Sequence, residues 1–464
     1  MKSKIFHISA FAITVLSITS CVTTKYKTPA DITDERLYRD MNVQDTVTIA
    51  DIPWREYFKD ANLQNLIEEG LRNSYDLQIA NTRIKQAEAS LTAAKLGYLP
   101  TLSAQASVSP ARVNVIQGNG ISATSATTYQ LAASASWEAD IWGKITSAKR
   151  SALASYLQTD AYKRVVETSL IANVANNYYS LLALDKQLEI TQNTIKLLQD
   201  NVETMKDLAE AGTTTNAAVE QSKALAYATQ VTVPDLQANI KTLENAICLI
   251  IGREPSTIVR SSMDSQVIPS ELQYGVPAQL LSKRPDVMME EYAYRAAFES
   301  TNIAKASMYP SLTLTGSAGY SNINSLNRFF DSPNFFANLV AGLTQPIFNQ
   351  GRLRSQLKIA QAQQEEALLN FKNTVLNAGA EVSNALYSYQ QAKSKDENRN
   401  LQIEALEKSV DFTQQLLIYS DANYTEVLNA EQNLLNARLG QVDDKLQQLQ
   451  ASINLYRALG GGTK

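Results

Sequence analysis

The side chains that most often carry covalent chemistry are scarce in this sequence of 464 residues. It holds one histidine, His7, and two cysteines, Cys21 and Cys248. Histidine triads, the usual zinc sites and redox-active thiol pairs all need more of these residues than the chain offers. Cys248 lies in an apolar run, 246–251, so we expect a buried, unreactive side chain. No acidic pair stands in a catalytic context. We therefore expect no enzyme activity, no cofactor and no metal site.

Cys21 is the cysteine whose surroundings predict a modification. Two lysines precede an apolar run over residues 5–18. This is typical of an export signal and is too short for a membrane-spanning helix. The segment Ile18-Thr19-Ser20-Cys21 then resembles the box at which bacterial lipoproteins are cleaved and lipidated. We expect removal of residues 1–20 and attachment of lipid, including palmitate, to Cys21. An ordinary signal peptide with an incidental cysteine is the alternative.

The remaining chain consists of two similar halves. Asp76 in the first half corresponds to Asp286 in the second, and Pro100 corresponds to Pro310, both about 210 positions apart. A period of this length indicates a duplicated half rather than a solenoid module. The predicted division is a signal peptide over 1–20, a lipidated tether that begins an equatorial collar over 21–59, a first repeat over 60–265 and a second repeat over 266–464.

Each half contains a predicted helix followed by a β-hairpin. The first helix covers about residues 60–97. Residues 101–109 then alternate between apolar and small polar side chains, and residues 129–138 do the same after a polar loop. The hairpins are expected at about 101–139 and about 311–345. Strands of about 9–10 residues with one apolar face are long enough to cross a bilayer when tilted.

Aromatic side chains lie near the predicted strand ends. Trp137, Tyr129 and Tyr320 occupy positions where a membrane-interface girdle belongs. Strand patterns are weak signals, and a pair of ordinary soluble hairpins is the alternative.

A very long helix follows each hairpin. Nothing interrupts the helical pattern from Lys144 to Leu208 or from Arg352 to Ile418. Each of these helices could extend roughly 95–100 Å. They end at short polar turns, at about 210–216 and about 420–425, and a shorter helix then returns in each half.

Four strands per chain predict an assembly. Four strands cannot close on themselves, and open strand edges are not stable in lipid. Three identical copies would supply twelve strands, an even number within the known range of membrane barrels. The net charge of −4 and the absence of a basic stripe argue against nucleic-acid binding. We therefore expect a homotrimer in contact with a lipid bilayer.

Several motifs in fixed order resemble those of the outer membrane efflux protein family, the TolC-like group, and in particular its lipoprotein (NodT-type) branch. The resemblance covers about residues 45–462. The motifs are Trp137-Glu138-Ala139-Asp140-Ile141-Trp142-Gly143-Lys144, Arg284-Pro285-Asp286-Val287, Tyr309-Pro310-Ser311-Leu312, Gln345-Pro346-Ile347-Phe348 and Leu455-Tyr456-Arg457-Ala458-Leu459-Gly460-Gly461-Gly462.

The resemblance implies a mixed α and β fold with a 12-stranded transmembrane β-barrel, four strands per protomer, on a long α-helical barrel. It also implies the outer membrane duct of a tripartite efflux system, which exports small molecules or drugs. The partners would be a periplasmic adaptor and an inner-membrane transporter of the RND class. The exit duct of a type I peptide or protein secretion system is the alternative. A coiled-coil adhesin would need sustained heptads and would not need paired strands.

The same resemblance implies roles for the two turns. In TolC-like proteins acidic residues of the second turn form rings that close the channel. Glu426 falls on one acidic position, and Asn429 falls on another, where the family commonly has Asp. The predicted aperture residues are Tyr419, Asp421, Thr425, Glu426 and Asn429. The predicted adaptor contacts are Gly212, Thr213, Asn423 and Tyr424.

Glu426 also has a simpler interpretation. Three Glu426 carboxylates near one axis would favour cations in the pore. Alternatively, Glu426 is a solvated acid at a helix N-terminus, where the helix dipole stabilises it. Asp421, Gly212 and Thr213 are likewise common turn residues.

Overall fold

The computed structural model describes residues 22–29, 52–117, 120–267, 284–418 and 424–462, and the side chains of residues 113–124 are not described. The described residues form two compact units. Unit 1 is drawn from residues 1–29, 84–159 and 290–371, and unit 2 from residues 30–83, 160–289 and 372–464.

The helices account for most of the described chain. In order they are α1 (Trp54–Tyr57), α2 (Ala61–Asn73), α3 (Tyr75–Leu96), α4 (Lys144–Glu210), α5 (Asn216–Ile251), α6 (Pro285–Ala306), α7 (Arg352–Ile418) and α8 (Tyr424–Ala458). The helices α4 and α7 each contain 67 residues. Helix α4 has neither Gly nor Pro, and both helices are rich in the strong helix formers Ala, Leu, Gln and Lys. Among the described helices, none is both long and apolar enough to cross a bilayer.

The single helix expected over residues 60–97 is wrong, because Ser74 divides it into α2 and α3. Ser74 has an extended ψ of 128°, and its backbone N–H still donates to the Gly70 carbonyl. Asn and Ser hydrogen-bond the backbone in non-helical conformations and therefore favour helix ends. Gly252 also approaches this break closely, since a Cβ on it would lie 2.5 Å from the Asn73 carbonyl oxygen. Its φ of +76° ends α5 in the left-handed conformation that glycine tolerates.

Unit 1 contains one antiparallel sheet with the order β1-β2-β3-β4. Its strands are β1 (Thr101–Gln117), β2 (Gly120–Ala139), β3 (Ser311–Ile323) and β4 (Phe335–Thr344). The polar loop expected up to about residue 128 is wrong. The first hairpin remains paired as far as Gln117 and Gly120, while β3 ends at Ile323. The extra residues include valines and threonines, which favour strands even where the overall composition is polar.

Pro110, which lacks a backbone N–H donor, lies on an edge strand of the sheet. It lies within β1 opposite Thr127. Proline has no backbone N–H and is confined mainly to edge strands. Because β1 pairs with β2 alone among the described strands, Pro110 costs the sheet no central hydrogen bond.

Residues 22–29, just after Cys21, have no helix or strand and pack on α6 within unit 1. Asn302 Nδ2 donates to the Thr24 carbonyl at 3.0 Å, and Thr28 Oγ1 donates to Glu291 at 3.0 Å. The Tyr26 ring lies 5.7 Å from both Tyr294 and Phe298, centroid to centroid. The chain is therefore fixed on the protein surface within a few residues of the expected lipidation site.

The core of unit 2 surrounds Leu63, Ile67, Tyr178, Leu181 and Ile247, all fully buried. Cys248 is also fully buried, as the sequence predicted, and its thiol faces the Ser256 carbonyl oxygen at 3.4 Å.

A network of ion pairs attaches the irregular segment after α5 to α4 and α5. Arg260 bonds Asp185 on α4 at 2.5 and 2.9 Å and Glu244 on α5 at 2.6 Å. Burial raises the pKa of Glu244, but the hydrogen bonds from Arg260 and Lys241 outweigh it and the net shift is downward. These ion pairs and hydrogen bonds offset the free-energy cost of burying the Glu244 carboxylate.

Candidate functional site

The strand register gathers the apolar side chains of the sheet on one face. Directly paired residues share a face in an antiparallel sheet. Leu102 pairs with Ala135, Ala135 with Gly316, and Gly316 with Leu339. The residues of this apolar face are Leu102, Ala104, Ala106, Val108, Tyr129, Leu131, Ala133, Ala135, Trp137, Ala139, Leu312, Leu314, Gly316, Ala318, Tyr320, Phe335, Ala337, Leu339, Ala341 and Leu343. The predicted alternation is therefore correct through all four strands.

This apolar face is open to the surroundings of the chain. Leu102 is 79% exposed and Leu339 is 77% exposed. Soluble monomers rarely expose a contiguous apolar surface of this kind. The face requires lipid or another apolar partner.

The opposite face of the sheet is polar and is linked across the strands. Ser103 and Ser134 share a hydrogen bond of 2.8 Å, and Ser136 and Thr315 share one of 3.4 Å. The arrangement suits a surface that faces water rather than lipid.

Both edges of the sheet are available for further pairing. Within the described chain, β1 pairs only with β2, and β4 pairs only with β3. An unpaired edge presents a row of backbone donors and acceptors. In lipid these groups have no water to satisfy them, so each edge needs another strand.

Two of the three predicted interface aromatics lie near strand ends. Trp137 is two residues from the end of β2, and its Nε1 donates to the Tyr98 carbonyl at 2.9 Å. Tyr320 pairs with Phe335, the first residue of β4, and its ring lies 5.3 Å from Phe330, centroid to centroid. These two residues mark opposite ends of the four-stranded part of the sheet.

The placement of Tyr129 at a strand end is wrong, since β2 begins at Gly120 and Tyr129 lies in its middle. Tyr129 nevertheless pairs with Asn322, one residue before the end of β3. It therefore lies two positions beyond Tyr320 along the sheet, near the point where β3 ends and the first hairpin continues as a two-stranded ribbon.

The junction between β2 and α4 is fixed by Asp140, a residue for which sequence reasoning proposed no role. Its carboxylate accepts hydrogen bonds from the backbone N–H groups of Ile145 and Thr146 at 2.8 and 2.9 Å. Side-chain oxygens in this position satisfy the free donors of a helix N-terminus. Beside it, Lys144 Nζ bonds Glu138 at 3.0 Å. An acidic residue just ahead of a helix start was the available sequence signal.

The first helix turn, between α4 and α5, has the geometry that its residues require. Gly212 adopts a φ of +75°, and the N–H of Thr213 donates to the Leu208 carbonyl at 2.8 Å. Thr215 then caps α5 by accepting from the Ala218 N–H. Gly212 and Thr213 are both exposed, so a partner could contact them.

The second turn is described only from Tyr424 onward, and Tyr419, Asp421 and Asn423 lie outside the described residues. Tyr424 is buried against Met205, Ala218 and Val219. It therefore holds the start of α8 against α4 and α5 and does not present its ring to a partner, in contrast to its expected role.

Glu426, Asn429 and Thr425 lie at the exposed start of α8. Glu426 and Asn429 are three residues apart, so they share a helix face. Glu426 is in the first turn of α8, where a negative charge is favourable. The described residues include no cluster of His, Cys, Asp and Glu suited to a metal ion.

Comparisons with known proteins match nearly the whole chain. The sequence model of the family described as "Outer membrane efflux protein" matches residues 66–253 and 276–461. "Pyoverdine export outer membrane protein OpmQ" of Pseudomonas aeruginosa is 32% identical over 422 residues, covering 88% of this chain and 87% of that protein. "Probable outer membrane lipoprotein SilC" of Salmonella typhimurium is 26% identical over 415 residues, covering 89% and 88%. A crystal structure of the channel protein CusC aligns with a TM-score of 0.85 at 25% identity, covering 95% of this chain and 99% of that one.

Proposed function

The chain belongs to the outer membrane efflux protein family, and from this premise we propose that three copies of it complete one export channel. Its fold is TolC-like, and it acts as an outer membrane channel of an efflux system. Family members form trimeric channels that work with an adaptor and an inner-membrane pump. The sheet of a single chain supports the same assembly, because its open edges need strands from other copies.

The observation that carries the proposal is the open sheet of unit 1. It combines an exposed apolar face, a hydrogen-bonded polar face and two unpaired edges. Pairing β1 of one copy with β4 of the next satisfies both edges and closes a barrel of twelve strands. The apolar face then meets lipid, and the polar face lines the passage. Cys21, just before the anchored residues 22–29, would carry the lipid that tethers the protein to the membrane.

The transported material would be a small molecule, as the export of pyoverdine by a relative suggests. The channel itself would do no covalent chemistry, and an RND-type pump joined through a periplasmic adaptor would supply the energy. Gly212 and Thr213, exposed in the first turn, would contact that adaptor. Residues 60–265 and 266–464 would be the two repeats of this design.

We expect the purified mature protein to form threefold particles in detergent and to conduct ions when reconstituted in a planar bilayer. Electron micrographs of the particles and single-channel recordings test the two parts separately. A stable, detergent-free monomer would contradict the shared barrel. Trimers that never conduct would contradict the channel.

Glu426→Gln should reduce the cation preference of the open channel by a factor of roughly two or more, because three carboxylates near one axis raise the local cation concentration. Asn429→Asp should increase the preference, since it adds three charges on the same helix face. The reversal potential in a salt gradient reports both changes. Glu210→Gln, at the end of α4, is the control and should leave the potential unchanged. Identical potentials for all variants would leave Glu426 as a simple helix-terminal acid.

A further inference from the structure

A cavity of about 220 Å³ lies within unit 2, near the end of α4 and the start of α8. It is bounded by α4, α5, α7 and α8. Its apolar walls are Met205, Leu208, Leu417, Val427 and Leu428. Nothing in the channel function proposed above uses this space.

Three polar atoms line the cavity: the hydroxyls of Ser222 and Tyr424, which interact with each other, and Oε2 of Glu431. Among the described residues these atoms have no other hydrogen-bond partner. Ser222 is 1% exposed and Tyr424 is 6% exposed. Buried polar groups are nearly always hydrogen-bonded, because leaving one unpaired costs free energy. A carboxylate oxygen without a partner, beside two hydroxyls that bond only each other, points to a ligand that pairs with all three.

Only one of the two carboxylate oxygens of Glu431 accepts hydrogen bonds from described residues. Its Oε1 accepts from Asn201 Nδ2 and from Gln414 Nε2, the latter at 3.1 Å. Both donors are neutral amides, so they orient the carboxylate without neutralising its charge. Burial raises the pKa of Glu431 above that of an ordinary glutamate. A cation beside Oε2 would remove this penalty.

The chemistry of the ligand follows from these atoms. A carboxylate oxygen accepts only, and each hydroxyl can accept as well. A protonated primary amine carries three N–H donors and one positive charge. We propose that the cavity binds a small primary alkylammonium ion, with its nitrogen on Glu431, Tyr424 and Ser222 and its carbon chain against the apolar wall.

Other ligand classes fit the cavity less well. A divalent metal ion needs several oxygen ligands and usually more than one carboxylate, whereas Glu431 is the one carboxylate among the described residues that line the cavity. An anion would face the Glu431 charge. Burial raises the pKa of Tyr424 to about 12, so its hydroxyl stays protonated and neutral.

The bound ammonium would join the two halves of the repeat. Ser222 lies on α5 of the first half, while Tyr424 and Glu431 lie on α8 of the second. The ligand would therefore stabilise the packing of α5 against α8. This role is separate from conduction, because the cavity is built from side chains of a single chain.

The test is isothermal titration of the intact detergent-solubilised protein with n-butylammonium chloride. We expect saturable binding that weakens roughly tenfold or more in Glu431→Gln, because a charge-assisted hydrogen bond is lost. Ser222→Ala and Tyr424→Phe should each weaken it several-fold. Glu220→Gln, an exposed acid on the same helix as Ser222, is the matched control and should bind like the unmodified protein.

Two further measurements distinguish binding that depends on the ammonium charge from binding by the carbon chain alone. n-Butanol, which has the same chain without the charge, should bind much more weakly than n-butylammonium. Affinity for n-butylammonium should decrease as the pH is lowered, since protonation of Glu431 removes the charge while the amine stays protonated.

The absence of saturable binding to the unmodified protein would overturn the proposal and leave a cavity that holds water alone. Equal affinity in folded Glu431→Gln, or equal binding of n-butanol, would also overturn it. Should Glu431→Gln fail to fold, unchanged affinity in both Ser222→Ala and Tyr424→Phe would have the same force. The titration needs neither pump nor conductance, so its failure leaves the proposed channel standing.

Discussion

Leu339→Arg is expected to prevent most of the protein from assembling in the outer membrane, whereas Val340→Arg at the next position should be tolerated. The two residues are both exposed aliphatic side chains of β4. Leu339 pairs with Gly316 on the apolar face, and Val340 pairs with Thr315 on the polar face. An arginine on the lipid face near the bilayer midplane costs about 2–4 kcal/mol, and a trimer incurs this cost in every copy. An arginine on the polar face remains in water.

The measurement is the amount of heat-stable trimer in isolated outer membranes, compared at matched expression. The paired design separates the effect of the face from the effect of the charge, because both variants add the same side chain to the same strand. Equal assembly of the two variants would mean that the two faces do not differ in environment, and the lipid-facing assignment would then be wrong.

The strand faces were predictable from the sequence because alternation of period two is a local property. The register merely lines up four segments whose apolar positions were already visible. Strand length was not predictable in the same way. Residues 110–128 have a loop-like composition, and the pairing of 110–117 with 120–127 depends on a partner strand across the hairpin rather than on their own propensity.

The tip residues show a second limit of sequence reasoning. Glu426, Asn429 and Thr425 are exposed where the resemblance placed them at the start of α8. Tyr424 was expected at the surface, yet it packs on Met205 of another helix. Glu431 was not singled out at all. The orientation of its carboxylate depends on hydrogen bonds from Asn201 and Gln414. No sequence pattern links these two residues to Glu431.

The family was predictable for a different reason. The motifs at residues 137–144, 284–287 and 309–312 concentrate at the junctions of elements, where geometry restricts the choice of residue. In the first, Asp140 caps α4 and the Trp142 Nε1 donates to the Pro310 carbonyl at 2.7 Å. In the second, Arg284 directly precedes the first residue of α6. The family match confirms what these motifs indicated.

Arg284 occupies a buried position with an unusual number of partners. It is 6% exposed, bonds Asp286 at 2.7 Å and Glu381 at 2.8 Å, and donates to the Ala458 carbonyl at 2.7 Å. These contacts connect the start of α6 with α7 and with the end of α8, all within unit 2. The carboxylates hold the pKa of the Arg284 guanidinium above its usual value despite the opposing effect of burial.

We expect Arg284→Met to destabilise the protein by about 1–3 kcal/mol, because it leaves the buried Ala458 carbonyl without its donor and removes the ion pairs with the half-exposed Asp286 and Glu381. Arg284→Lys should recover part of the loss, since an ammonium keeps the charge but cannot reproduce the two-pronged contact with Asp286. Arg55→Met removes an exposed arginine of the same unit, paired with Glu68 at 2.9 Å, and should have a much smaller effect. Thermal unfolding of the detergent-solubilised protein compares the three variants. An Arg284→Met midpoint as high as that of Arg55→Met would show that the network does not hold α6 to α7 and α8, and that the motif at residues 284–287 serves some purpose other than stability.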